Sequence, residues 1–375
     1  MKKISLYIHI PFCKQKCLYC DFPSYAGKEV LMDDYIEALN KEILEKGQNY
    51  IINSIFIGGG TPSYLTNNNL KKLLSTINKL KLEENLEFTV ECNPGTLTEE
   101  SLKIMKNNNV NRLSIGLQST KNTLLKNIGR IHSYEEFKNN YLLARKIGFN
   151  NINVDLMFGL PNQKIEDWKA SLEEIVKLEP EHISAYSLII EEGTCFYNLY
   201  EENKLELPSE DSEREMYLLT KEILNKHDYH QYEISNFAKE GKECFHNKVY
   251  WKCNEYLGLG VSASSFIDKK RIRNIDNIKT YIERINKNED VVDEIHINTK
   301  NDDIEEFVFM GLRMINGIDL NEFRCRFNQD IYDVYGDIIE KNIKKELLIN
   351  DLGRLYLSLK GIEVSNYVMS DFILT

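Results

Sequence analysis

Tyr7-Ile8-His9-Ile10-Pro11-Phe12-Cys13-Lys14-Gln15-Lys16-Cys17-Leu18-Tyr19-Cys20-Asp21-Phe22 is an apolar β-rich run followed by a loop with three cysteines in the spacing C-x3-C-x2-C. The chain has eight cysteines in 375 residues, too few for a disulfide framework. The other five, Cys92, Cys195, Cys244, Cys253 and Cys325, are scattered, so the trio stands out. Three thiolates on one short loop can each hold one iron of a cubane cluster, leaving the fourth iron open to an external ligand. A structural zinc would need a fourth closed ligand, for which His9 on the preceding strand is the obvious candidate. A dithiol redox motif needs only C-x2-C and leaves Cys13 without a role. Lys14 and Lys16 would offset thiolate charge.

Outward from this segment, β-rich runs alternate with amphipathic helical patterns. Strands are expected at 4–10, 54–57, 86–90, 112–115, 151–156 and 182–188, and helices at 33–45, 69–80, 98–107, 134–147 and 165–178. Repeated strand–helix units imply a parallel sheet with right-handed crossovers. The expected fold is α/β, an incomplete (β/α)6 barrel over residues 1–235. After about residue 235 the pattern changes. Residues 236–300, rich in aromatic and polar side chains and then in charged ones, read as a connecting region. Residues 301–375 read as a smaller, mainly helical, winged-helix-like C-terminal domain. Its helices are expected at 305–314, 321–327, 331–347 and 362–372, and its β-wing turns at 351–354 into a strand at 355–359.

Composition excludes several function classes. The net charge is −11, which repels phosphate backbones and disfavours nucleic-acid binding. No apolar run approaches the length of a membrane span. Residues 1–10 begin like a signal peptide, but His9, Pro11 and Lys14 interrupt the apolar stretch, so a cytoplasmic protein is expected.

In a βα barrel the chemistry sits at the C-terminal ends of the strands. The unusual polar residues of this chain fall there. Gly58-Gly59-Gly60-Thr61-Pro62 follows the second strand, and its glycines allow backbone to approach a ligand closely. Glu91 ends the third strand and suits ribose hydroxyls. Gln118 ends the fourth, and Arg130, twelve residues on, could reach a carboxylate. Asp155 lies inside the apolar fifth strand, where a charge is costly unless paired or functional. Each alone is more often structural than functional; together they mark one barrel mouth.

The cysteine spacing after the first strand resembles the radical S-adenosylmethionine (SAM) superfamily. That resemblance implies a 4Fe-4S cluster held by Cys13, Cys17 and Cys20, with SAM on the open iron as source of a 5′-deoxyadenosyl radical. The wording of Tyr7–Cys13, Gly58–Pro62, Ser114–Ser119 and Asp155–Pro161 is similar to the oxygen-independent coproporphyrinogen III dehydrogenase group over nearly the whole chain. By that resemblance Tyr7, Gly59 and Glu91 contact cluster-bound SAM and Tyr19 flanks it. Gly60, Thr61, Gln118, Arg130 and Asp155 match a second SAM site of the dehydrogenase.

Two branches of the group are in play. The dehydrogenase decarboxylates porphyrinogen propionates; the HemW-type branch is a haem chaperone. The dehydrogenase has a fourth cysteine two residues past the third, where this chain has Phe22, and an N-terminal extension, where this chain has six residues before Tyr7. Phe245-His246-Asn247-Lys248-Val249-Tyr250-Trp251 resembles the chaperone signature H-N-x-x-Y-W. The resemblance thus implies haem as cargo, with His246, Tyr250 and Trp251 as its contacts, haem-accepting apo-proteins as partners, and a flavodoxin- or ferredoxin-type electron donor. Cys244 is a rival iron ligand, and the bland alternative makes the same aromatic residues core. In Tyr256–Ser265 many relatives carry a histidine where this chain has serines.

Overall fold

The computed structural model describes residues 1–374. Six strands, β1 (Lys3–Ile10), β2 (Ile51–Gly59), β3 (Lys81–Cys92), β4 (Arg112–Gln118), β5 (Ile152–Phe158) and β6 (His182–Ser187), pair in parallel in sequence order. Their apolar residues are buried, as in sheets covered by helices. The crossover helices are α1 (Met32–Gly47), α2 (Asn67–Ile77), α3 (Glu99–Asn107), α4 (Asn122–Asn127), α5 (Tyr134–Ile147) and α6 (Ile165–Val176). Local signals set their ends. Thr98 with Ser101, and Ser133 with Glu136, form capping boxes on α3 and α5, and Gly148 at φ 100° closes α5 in the left-handed region. The expected strands and helices all appear, displaced by a few residues at their ends.

The segment 236–300, read from the sequence as a connecting region, is built into the sheet. After α7 (Cys195–Glu201) and α8 (Glu210–Lys226), β7 (His230–Glu233) and β8 (Asn236–Ala238) extend the β6 edge antiparallel. Then α9 (Phe245–Trp251) leads to β9 (Tyr256–Leu259), which pairs in parallel with β1. Beyond it, β10 (Ser264–Ile267), β11 (Lys270–Asn274) and β12 (Val292–Ile297) complete twelve strands. A buried carboxylate fastens this extension. Glu42 of α1 accepts from Gly260 N at 2.8 Å, Tyr281 OH at 2.6 Å and Asn274 Nδ2 at 3.2 Å; Tyr281 lies on α10 (Ile278–Asn286). Burial without these donors would be costly, so the three bonds weld α1 to the added strands.

The C-terminal unit has its own core, including Phe307, Phe323, Tyr335, Ile339, Leu355 and Phe372. It packs α11 (Lys300–Gly311), α12 (Leu320–Phe327) and α13 (Ile331–Lys344) against a three-stranded sheet of β13 (Ile318–Asp319), β14 (Leu348–Asp351) and β15 (Arg354–Leu357). Helices plus a β-wing match the expected pattern. The final helix differs: it is two pieces, α14 (Leu359–Glu363) and α15 (Ser365–Ser370), broken at Val364, whose φ/ψ of −121°/33° is not helical. Among the described residues no helix is long and apolar enough to cross a membrane.

Candidate functional site

A cavity of about 610 Å³ opens at the C-terminal ends of the barrel strands. Cys13, Cys17 and Cys20 line it together with Tyr19, Gly59, Gly60, Thr61, Glu91, Gln118, Arg130 and Asp155. The exposed side chains of Phe22 and Ile189 line it too. All three thiols are free. Their loop is pinned by backbone bonds, Cys13 N to Tyr25 O at 3.0 Å, Tyr25 N to Pro11 O at 2.7 Å and Leu18 N to Ile128 O at 3.1 Å. Among the described residues no three His, Cys, Asp or Glu converge as ligands on a single ion. A tetrahedral zinc needs four ligands around one ion, whereas a cubane takes each thiolate at a separate corner. His9 is unavailable as a fourth ligand. Its Nε2 donates to Pro23 O at 2.7 Å and its Nδ1 accepts from Tyr7 OH at 2.9 Å. Burial lowers its pKa to about 4, so it is neutral and ties β1 to the cysteine loop.

The glycine loop is shaped for close approach. Gly59 adopts φ 107°, and a Cβ there would come within 2.4 Å of the His9 ring. A Cβ on Gly60 would meet Phe12 O at 2.8 Å and Cys13 Sγ at 3.1 Å. Glu91 accepts from Gly59 N at 3.1 Å; burial first, then the nearby Asp155, raises its pKa to about 8. Asp155 is likewise raised, chiefly by burial, and accepts from Asn153 Nδ2 at 2.7 Å and Ser114 Oγ at 3.3 Å. A register shift between Gly116 and Gln118 ends β4, and Gln118 sits at φ 69° with its buried Oε1 unpartnered. Arg130 is firmly placed. Its Nη2 donates to Asn93 Oδ1 at 2.7 Å and to Gly116 O, and its Nη1 lies 3.5 Å from Cys17 Sγ. Thiols, guanidinium, carboxylates and bare glycine backbone thus share one mouth. Those residues suit an iron–sulfur cluster and a zwitterionic, ribose-bearing ligand.

Helix α9 is placed by the barrel. Glu87 of β3 accepts from Phe245 N and His246 N, both at 3.0 Å, so a strand carboxylate caps the helix start. His246, expected to contact haem, does not face the cavity. It is fully buried and stacks on Phe56, with Nδ1 against Ser54 Oγ at 2.8 Å and Nε2 against Tyr250 OH at 3.0 Å. Burial holds its pKa near 3, and an iron would have to displace one of these partners. Cys244 is buried against Glu87, with its pKa raised to about 12 by burial. Asn247 and Trp251 line the main cavity instead. Tyr250 joins Tyr7, Phe22, Phe56, Gly59, Glu91 and Asn247 around an adjoining pocket of about 220 Å³. Sequence reasoning missed Arg112, Tyr186, Asn247 and Arg313, which also line the main cavity. Arg112, a cation opening an apolar strand, and Asn247, inside the H-N-x-x-Y-W segment, were the visible signals.

A model of the radical SAM superfamily matches residues 7–175, and one of the HemN C-terminal domain matches residues 298–364. The chain is 40% identical to the heme chaperone HemW of Bacillus subtilis (strain 168), covering 98% of this chain and 99% of that one. It is 38% identical to the heme chaperone HemW of Lactococcus lactis subsp. lactis (strain IL1403), covering 100% and 98%. The chain belongs to the HemW family. HemW of Escherichia coli (strain K12) is 40% identical over 69% of each chain. Among solved structures, the radical SAM enzyme coproporphyrinogen III oxidase (HemN) from Escherichia coli superposes with a TM-score of 0.87 at 22% identity. That match covers 99% of this chain and 90% of the other, and supports the fold. Membership of the HemW family, within the radical SAM superfamily, implies a 4Fe-4S cluster and SAM, and the mouth residues fit both.

Proposed function

We propose that this chain is a cytoplasmic haem chaperone that holds haem on a radical SAM scaffold and delivers it to haem-accepting apo-proteins. The observation that carries the reading is end-to-end similarity to proteins named heme chaperone HemW. Phe22, where the dehydrogenase has its fourth cysteine, adds support. Cys13, Cys17 and Cys20 would hold the cluster. Tyr7, Gly59 and Glu91 would seat SAM, with Tyr19 beside it. Gly60, Thr61, Gln118, Arg130 and Asp155 would line the space for a second SAM or another ligand. A cluster held by Cys13, Cys17 and Cys20 would supply, when reduced by a flavodoxin- or ferredoxin-type donor, the electron for cleavage of SAM. The protein's part is positional: Gly59 N holds the Glu91 carboxyl group in place beside the ligand's seat, and Arg130 places a fixed cation beside Cys17. The face formed by Asn247, Tyr250 and Trp251 offers aromatic surface and an amide to a planar macrocycle.

The test is haem titration of anoxically reconstituted protein with and without cluster, followed by transfer to an apo-acceptor and an assay for 5′-deoxyadenosine. A stoichiometric Soret band and transfer are expected. No haem-dependent band, or conversion of coproporphyrinogen to protoporphyrinogen, would overturn the reading, the latter in favour of the dehydrogenase.

A further inference from the structure

The deep end of the main cavity holds positive charge without enough partners. Arg112, the first residue of β4, is 2% exposed. Among the described residues its one hydrogen bond is long, Nη1 to Thr89 Oγ1 at 3.5 Å, and its Nε has no partner. Arg313 reaches the same cavity from the C-terminal unit, just past α11. Its guanidinium lies 4.4 Å over the Trp251 ring and 3.6 Å from Glu233 Oε2, and its Nε is also buried and unpartnered. The Trp251 indole Nε1 is a third buried donor without an acceptor. All three side chains line one cavity, beside Ser235, Asn236 and Asn247.

Buried cations and donors are normally satisfied, so this set calls for a bound anion. The nearby carboxylates meet this need only in part: Glu233 Oε2 faces Arg313 at 3.6 Å, beyond hydrogen-bond reach, and Glu87 is engaged by the start of α9. Asp155 is already engaged by Asn153 and Ser114, and Glu233 Oε1 accepts from Ser235 N at 3.0 Å and from Asn236 Nδ2, which leaves Oε2 as the ion-pair partner of Arg313 and no carboxylate for the Nε groups of Arg112 and Arg313 or the Trp251 indole. Nor does SAM account for the site. Its carboxylate belongs at the cysteine end, whereas Arg112 and Gln118 are opposite ends of β4, about 20 Å apart along the strand. Arginine forks and an indole N–H match carboxylate oxygens, and the Arg313–Trp251 stack presents them beside an aromatic face.

We propose that Arg112, Arg313 and Trp251 form a carboxylate-binding subsite that takes the propionates of the haem; this rests on the haem reading above. The subsite anchors the acidic edge of the macrocycle while the aromatic residues of α9 cover its face. Because Arg313 belongs to the C-terminal unit, the barrel alone lacks one of the two arginines of the subsite.

The experiment uses the full chain with its cluster reconstituted and compares haem with haem dimethyl ester, whose propionates are capped. The ester is expected to bind about tenfold more weakly. Arg313→Gln is expected to weaken haem by a similar factor and to leave the ester unchanged. Trp251→Phe, which keeps a ring and removes the indole N–H, should weaken haem by about threefold. Equal affinity for haem and ester, or equal loss of both in Arg313→Gln, overturns the subsite. If the wild type binds no haem at all, the functional reading falls. The subsite is then judged on glutarate, a plain dicarboxylate. A rise in wild-type melting temperature with glutarate that vanishes in Arg313→Gln upholds it; no rise refutes it. Arg313→Lys, which keeps the charge and loses the fork, checks that the loss is not misfolding: it should melt like wild type and bind haem more weakly.

Discussion

The two ends of the main cavity are built by different means. At the mouth, adjacent parallel strands deliver cysteine, glycine, carboxylate and guanidinium to one rim, and the anchoring groups are bonded: Arg130 to Asn93 and Gly116, His9 to Tyr7 and Pro23. At the deep end, a short helix and a loop of another unit stack Trp251 and Arg313 together in the cavity that Arg112 also lines, with several donors unanswered. Groups bonded before a ligand arrives fix its geometry. Groups left open store affinity for whatever completes them. The contrast teaches that the bonded mouth and the open-ended deep site need not share the same elements.

Four perturbations break or sharpen this contrast. The largest acts on the mouth alone. Cys17→Ala should abolish the cluster, with iron falling from about four per chain to below one. The cluster-free protein should keep its melting temperature, because the Cys17 thiol is partly exposed and makes one weak contact. Iron analysis and low-temperature paramagnetic resonance check the first part, calorimetry the second. Next is the buried Glu91, held near pKa 8 in the fold against 4.5 ordinarily. Between those values the folded state keeps a proton that the unfolded state releases. The stabilising protonated form is therefore lost as pH rises, and the cluster-free chain should lose up to about 1.4 kcal/mol per pH unit before levelling above pH 8. Denaturant titrations from pH 5 to 9 should show this slope, and Glu91→Gln should be flatter.

The remaining two act where α9 is attached. Glu87→Ala removes the acceptor at the start of that helix, and should cost about 1–2 kcal/mol while leaving iron content unchanged. Loss of the cluster in this variant would mean the two ends are not separable. Ser54→Ala leaves His246 with the Tyr250 hydroxyl as its remaining partner and should cost about 1 kcal/mol. If His246 ligates haem iron, freeing Nδ1 in this variant should tighten haem binding; unchanged affinity favours the structural role. Haem titration decides.

The barrel was legible because each βα unit carries its own signal: an apolar run, a turn with glycine or proline, then helical periodicity. The mouth was legible for a related reason, since strand ends are fixed by sequence and the rule placing chemistry there is general. Glu42 shows what was not. On α1 it looks like one more charge on a polar face, yet it is fully buried because strands more than two hundred residues away pack over it. The extension 256–297 was hidden likewise. Its strands are short, and nothing local says that β9 docks on β1. Arg313 follows a helix in a separate core and carries no periodic or motif signal, so its place over Trp251 emerges from tertiary packing alone.

One feature of the sheet bears on how a broad ligand could be accommodated. Its twelve strands run from β12 at one margin to β7 at the other and do not join. A closed ring of strands fixes its bore by strand number and stagger. A clip with two loose ends does not. On the β7 side the clip is fastened to the C-terminal unit by backbone bonds, Ile234 N to Arg313 O and Ile315 N to Tyr232 O, both 3.1 Å. On that side the width of the lumen is therefore set by this clasp, with its Glu233–Met314 bridge, and not by the closure of a ring of strands.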